Sequence, residues 1–201
     1  MIKILILLAG LFFRIDFLYA QEYDKVYLDA SDSTQFYFKV TPASQAKGLL
    51  ILLPGIRGNS EWPLRTTKIP YIATDSGLVT MMINYEIWLG WLRDDVLHLL
   101  NETIEDVLVT YKIRTENCVI GGFSSGGLMA LSYTELAYSD RTKTAIVPKG
   151  VFGLDPPIDL IKLYSVLHFE LQDSVYNVKK VNVSDETKYM HEKITPYLGN
   201  P

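Results

Sequence analysis

An α/β architecture, a mostly parallel central sheet with helices on both faces, is what this sequence predicts, and three observations predict it. Apolar runs of strand length recur at residues 48–53, 78–85, 118–123 and 150–154. A run that is apolar at every position suits a strand covered on both faces, as parallel strands are. Helical stretches lie between and after these runs, and strand–helix alternation is the pattern of a parallel sheet with crossover helices. The composition, 48% hydrophobic and 21% charged, leaves enough apolar side chain to fill a core under a soluble surface. The chain has 201 residues, the size of one domain with room for a small cap.

The first twenty residues differ from the rest. Met1-Ile2-Lys3 is a positive start, Ile4 to Phe13 is apolar, and Ala20 is a small residue before the polar Gln21-Glu22. That pattern predicts a signal peptide over residues 1–20, hence a secreted or periplasmic protein, although Arg14 and Asp16 interrupt it. The alternatives are a buried first strand or a membrane anchor. The apolar run is shorter than the roughly 20 residues a membrane helix needs, so no stable membrane insertion is expected after cleavage. The α/β core is then expected over 21–155, with a differently patterned segment over 156–201.

Within the core, Phe36 to Val40 reads as an early aromatic strand and Gly48 to Leu53 as a buried one closed by Pro54-Gly55. Leu78 to Tyr85 is the next strand. From about Leu92 to Tyr111 a helix is predicted, with Val96, Leu100, Ile104, Val107, Leu108 and Tyr111 on one face and Asp94, Asp95, His98, Asn101, Glu102, Glu105 and Asp106 mostly on the other. Cys118 to Phe123 is a third core strand, followed by a helix that begins near Ser125. Gly150 to Leu154 is a fourth buried strand, and Ile158 to Leu171 a helix. Cys118 is the single cysteine, which rules out an internal disulfide and suits a small core residue.

The chemistry concentrates at Gly122-Phe123-Ser124-Ser125-Gly126. A serine hydroxyl is a weak nucleophile that needs exposure and a neighbouring base. A Gly-x-Ser-x-Gly turn between a strand and a helix supplies the exposure: the serine sits on a sharp, strained bend, and the glycines relieve the crowding around it. Ser124 is therefore the candidate nucleophile. The following helix aims its free N–H groups and positive dipole end at the same point, where an anionic tetrahedral intermediate would form. This makes the backbone N–H of Ser125 one candidate oxyanion donor. A second is expected from the loop Pro54-Gly55-Ile56-Arg57-Gly58-Asn59, placed at Ile56 with Arg57 as the neighbouring possibility.

With these motifs the chain resembles the α/β-hydrolase superfamily over about residues 35–170, in the manner of its serine esterases, lipases and peptidases. Gly122 to Gly126 matches the elbow, and Leu53-Pro54-Gly55 stands where many members have His-Gly. Proline is compatible with that place because the oxyanion donor there is a backbone N–H. The resemblance implies a triad in the order serine, acid, histidine, with the acid after a seventh strand and the histidine after an eighth. The sequence offers one strand after the elbow, and residues 156–201 fall where members of the family often insert a lid or cap. The expectation is thus an N-terminal fragment whose C-terminal strands, acid and base lie beyond residue 201, inactive by itself.

The internal substitutes are weaker. Asp155 ends the strand 150–154, but Asp155-Pro156-Pro157 reads as a turn, with Asp159 capping the next helix. His98 falls on a polar helix face, His168 shares an apolar face with Leu160, Tyr164 and Leu171, and His191 has no strand before it. No metal or cofactor is expected, because no His or Cys pair has ligand spacing and no phosphate or dinucleotide loop appears. The net charge of −4 and the lack of a Lys/Arg cluster speak against nucleic acid. Trp62, Trp88 and Trp91 fall in or beside loops at the carboxyl ends of strands, where they either line a pocket or simply pack. Asn101-Glu102-Thr103 and Asn182-Val183-Ser184 match glycosylation sequons, meaningful only outside bacteria.

The leading expectation is hydrolysis of a carboxylic ester through an acyl-enzyme on Ser124. A peptidase, or a non-catalytic binding scaffold should Pro201 be the natural end, are the alternatives. The partner is a small-molecule or peptide substrate; substrate identity and oligomeric state are left open.

Overall fold

The computed structural model describes residues 23–29, 31–55, 59–84, 92–159, 161–168, 188 and 192. The predicted signal peptide and most of the predicted lid lie outside these residues.

Six strands are described, β1 (Asp24–Asp29), β2 (Asp32–Val40), β3 (Gly48–Leu53), β4 (Leu78–Ile83), β5 (Cys118–Phe123) and β6 (Gly150–Leu154), and they form one sheet in the order β1-β2-β4-β3-β5-β6. The four strands β4, β3, β5 and β6 run parallel, while β2 is antiparallel to β4 and β1 antiparallel to β2. The mixed, mostly parallel sheet of the sequence prediction is present. Every residue of β3 is buried, because β3 has a parallel neighbour on each side and helices over each face.

The pleat divides the core in two. Leu49, Ile51, Leu53, Met81, Ile83 and Ile120 point to one face, where they meet Val96, Leu100, Ile104 and Val107 of the helix Asp94–Tyr111 and Met129, Ala130 and Tyr133 of the helix Ser125–Ser139. Leu52, Met82, Phe38 and Val40 point to the other face and meet Leu64 and Ile69. The second face is covered by two short helices, α1 (Trp62–Thr66) and α2 (Ile69–Asp75). The first is covered by α3 (Asp94–Tyr111) and α4 (Ser125–Ser139). Asp94 and Asp95 occupy the first turn of α3, the end where the dipole favours carboxylates. The helix stops at Lys112, in the left-handed region at φ 53°, a position that usually takes glycine.

A polar strut joins the two long helices. Asn101 Nδ2 donates to the Lys143 carbonyl (2.8 Å), and its Oδ1 accepts from Tyr133 Oη (3.0 Å) and the Ala145 N–H (2.9 Å). This pins the connection after α4, so that Ile146 seals the core and Lys149 N–H bonds the Cys118 carbonyl at the head of β6.

Several expectations change in detail. The strand predicted from Phe36 starts at Asp32 and is preceded by β1, which the sequence reading omitted. The two short helices after β3 were also unread. The expectation that residues 150–154 form a strand as buried as its neighbours does not hold: Val151 is 37% and Leu154 41% exposed. Among the described residues β6 pairs only with β5, so one of its edges is uncovered by them. The helix predicted over 158–171 is seen at residues 161–168.

Candidate functional site

The chain leaves β3 towards β4 through α1 and α2 on one face. It returns from β4 to β5 through α3 on the other face, passing β3, and then continues outwards to β6. The connections from β3 and β5 therefore diverge at the carboxyl ends of these two neighbouring strands. In open α/β sheets this switch point is where ligands bind. Ser124 follows β5 and Pro54-Gly55 follows β3, so both lie at it.

Ser124 has φ 48° and ψ −123°, a conformation that L-residues avoid at a cost of order 1–3 kcal/mol. Its surroundings impose it. The Ser124 N–H extends the β5–β6 ladder by donating to the Leu154 carbonyl (2.8 Å), while its own carbonyl accepts from the N–H groups of Gly127 (2.9 Å) and Leu128 (3.2 Å). The backbone thus belongs to the strand on one side and to the first turn of α4 on the other. The reversal between them falls on one residue, whose side chain is left exposed.

The flanking glycines are required by contact. A Cβ on Gly126 would run into the carbonyl oxygens of Pro54 and Leu53, and one on Gly122 would lie 2.7 Å from the Leu53 carbonyl oxygen and against the Gly126 backbone. The two glycines let the end of β3, the end of β5 and the start of α4 touch backbone to backbone. Gly121 lies under the Phe152 ring, and Gly127 against Gly153 and Pro156.

Of the two candidate oxyanion donors, Ser125 is described. It opens α4, where an N–H has no acceptor in its own helix, and its residue is buried directly beside Ser124. Its Oγ has no hydrogen-bond partner among the described residues. Ile56 and Arg57 lie outside the described residues. The residue before them is placed: a Cβ on Gly55 would stand 3.3 Å from Ser124 Cβ, so the loop after β3 starts within contact of the serine.

Around this centre the structure separates the remaining candidates. Trp62, at the start of α1, packs at right angles to Phe123 with ring centroids 5.0 Å apart and planes at 84°. Trp88, Trp91 and His191 lie outside the described residues. His98 is an exposed side chain paired with Glu102 at 3.2 Å, on the polar face of α3 as read. His168 stacks on Tyr164 at 5.8 Å; Leu160 and Leu171, the other neighbours expected of it, lie outside the described residues. Asp159 Oδ1 accepts from the Lys162 N–H (2.9 Å), the cap the sequence suggested. Asp155 carries a feature no pattern announced. It has φ 54°, and it follows Leu154, the register partner of Phe123, so two positive-φ residues stand side by side at the ends of β5 and β6. Among the described residues no group of three His, Cys, Asp or Glu could hold a metal, and no helix is long and apolar enough to cross a membrane.

No family model and no curated protein matches the chain in sequence. Solved structures do match in shape. A putative esterase from Staphylococcus aureus superposes with a TM-score of 0.57 at 14% identity, over 89% of this chain and 57% of its own. The fluorophosphonate-binding serine hydrolase FphF, also from Staphylococcus aureus, gives 0.55 at 16% identity, over 87% and 74%. Esterase B from Lactobacillus rhamnosis gives 0.55 at 14%, over 88% and 57%. The chain has the α/β-hydrolase fold. The chain spans little more than half the length of two of these α/β-hydrolases.

Proposed function

We propose that this chain carries the nucleophile and oxyanion cradle of a serine hydrolase that cleaves carboxylic esters through an acyl-enzyme on Ser124. The observation that carries the reading is the backbone of Ser124: an exposed serine held at φ 48° between a strand and a helix, with the flanking Gly122 and Gly126 packed against the backbone at the end of β3. A surface serine in an ordinary turn needs no such strain. The Ser124 hydroxyl would attack the ester carbonyl, and its proton would pass to a base. The N–H of Ser125 would hold the developing oxyanion together with an N–H from the loop after Gly55, at Ile56. Esters are favoured over amides in this reading because the structural neighbours named as esterases share the fold. Export through a signal peptide at residues 1–20 belongs to the same proposal, as do a small-molecule or peptide substrate and the absence of a cofactor.

The test is covalent labelling of the full-length protein with a fluorophosphonate, followed by peptide mapping. Label on Ser124, lost in Ser124→Ala, is the expected result; a full-length protein that takes no label overturns the enzyme reading. Ester and peptide substrates assayed side by side then separate esterase from peptidase.

A further inference from the structure

We propose that Trp62 determines specificity, its exposed indole forming one wall of the substrate site and packing on a flat apolar group, such as an aryl ring, of the ester. The inference rests on the ester-hydrolase reading of Ser124 and assigns a substrate class to that site.

Three observations meet at this residue. Trp62 comes at the end of the loop that leaves β3 at Pro54-Gly55, and that loop begins in contact with Ser124. Its ring is set edge-to-face on Phe123, the residue immediately before Ser124, at 5.0 Å. Yet Trp62 is 42% exposed, and packing on Phe123 leaves much of a large apolar ring open to solvent. A tryptophan held rigidly on one side and bare on the other loses little conformational freedom when a ligand covers it, which is why such residues anchor recognition.

The surroundings decide what kind of group the ring would take. An indole face attracts cations as well as flat apolar groups, and Glu61 precedes it in the chain. The Glu61 carboxylate, however, is already engaged: Arg65 donates to it at 2.8 Å and Tyr23 Oη donates to the same oxygen. Its side chain is only 17% exposed. The acid next to the indole is already paired with a cation, which favours an uncharged flat group over an ammonium.

The experiment compares full-length wild type with Trp62→Ala and Trp62→Phe on four esters: ethyl acetate, benzyl acetate with the ring on the alcohol, ethyl phenylacetate with the ring on the acyl group, and acetylcholine as a cationic ester. Trp62→Ala is expected to lower kcat/KM for at least one ring-bearing ester about tenfold, chiefly through KM, while ethyl acetate changes less than about twofold. Trp62→Phe should restore most of the loss. An equal fall on all four esters marks Trp62 as a packing residue, and no change on any marks it as idle; either overturns the inference. A loss confined to acetylcholine overturns the apolar assignment. Fluorophosphonate labelling of Ser124 in the same samples keeps the two levels apart: wild type that labels while these ratios fail sinks only the role of Trp62, and wild type that does not label sinks the ester-hydrolase reading beneath it.

Discussion

Ser124 holds two burdens in one residue, and they can be separated. Its hydroxyl is the proposed nucleophile, and its backbone sits at φ 48°, ψ −123°, a region glycine enters freely. Ser124→Gly should therefore stabilise the protein by about 1 kcal/mol, the relief of strain being partly offset by glycine's greater freedom when unfolded. Ser124→Ala keeps the Cβ and should leave stability almost unchanged. Urea denaturation of the two variants gives the comparison, and equal midpoints would show that the conformation costs nothing. At this scale the motif was legible because its spacing reflects contact: Gly122 and Gly126 are glycine since carbonyl oxygens of Leu53 and Pro54 occupy the space of a side chain. The positive φ of Asp155 was not legible, because an Asp-Pro-Pro sequence is equally consistent with an ordinary turn. The edge-to-face seat of Trp62 on Phe123 joins residues far apart in the chain, and no local pattern encodes that.

Elements were readable where burial was uniform. The strands β3, β4 and β5 have continuous apolar runs because they are covered on both faces, and α3 shows a helical stripe because one of its faces is wet. β1 and the first half of β2 escaped because they form an antiparallel pair with mostly exposed side chains, whose polar residues mask the alternation. The helices α1 and α2 escaped because five and seven residues are too few for a helical period, and each begins with a proline near its N-terminus that reads equally as a loop. The end of α3 supplies a prediction of its own. Lys112 takes a left-handed conformation at φ 53° and donates its N–H to the carbonyls of Leu108 and Val109. Lys112→Gly should raise stability by about 0.5–1 kcal/mol, since glycine meets no Cβ penalty at this cap. Thermal melting of Lys112→Gly beside Lys112→Ala checks it: the alanine variant should melt with the parent and the glycine variant above it.

The whole molecule joins these parts through a core that resists ionisation. Burial pushes the Tyr133 hydroxyl from 10.0 to about 12. Burial, with a smaller contribution from the charge of Glu116, pushes the Cys118 thiol from 9.0 to about 12. Both groups hold their protons more tightly folded than unfolded. Their contribution is complete below pH 9.0 and is lost as pH rises towards about 12, because the unfolded chain releases these protons first. Melting temperature should fall steeply across that window, and Cys118→Ala should shallow the fall by removing one of the two protons. An unchanged slope in Cys118→Ala would show that the thiol plays no part. The sheet order and the contact between the β3 loop and Ser124 are properties of this scale; the sequence pointed to the class of fold and to the β3 loop beside Ser124, but not to the order of the strands.

The Asn101 strut has a consequence for biosynthesis. Asn101-Glu102-Thr103 is a glycan acceptor by pattern, yet in the folded protein the amide nitrogen that would carry the sugar is donated to the Lys143 carbonyl. The Thr103 residue is buried within α3, its hydroxyl bonded to the Leu99 carbonyl at 2.7 Å. In a cell that glycosylates, sugar transfer and folding would compete for one nitrogen atom. A chain modified before α3 closed would carry a sugar at the seat of its 140–149 connection, and a folded chain holds this sequon within α3 with its amide nitrogen engaged.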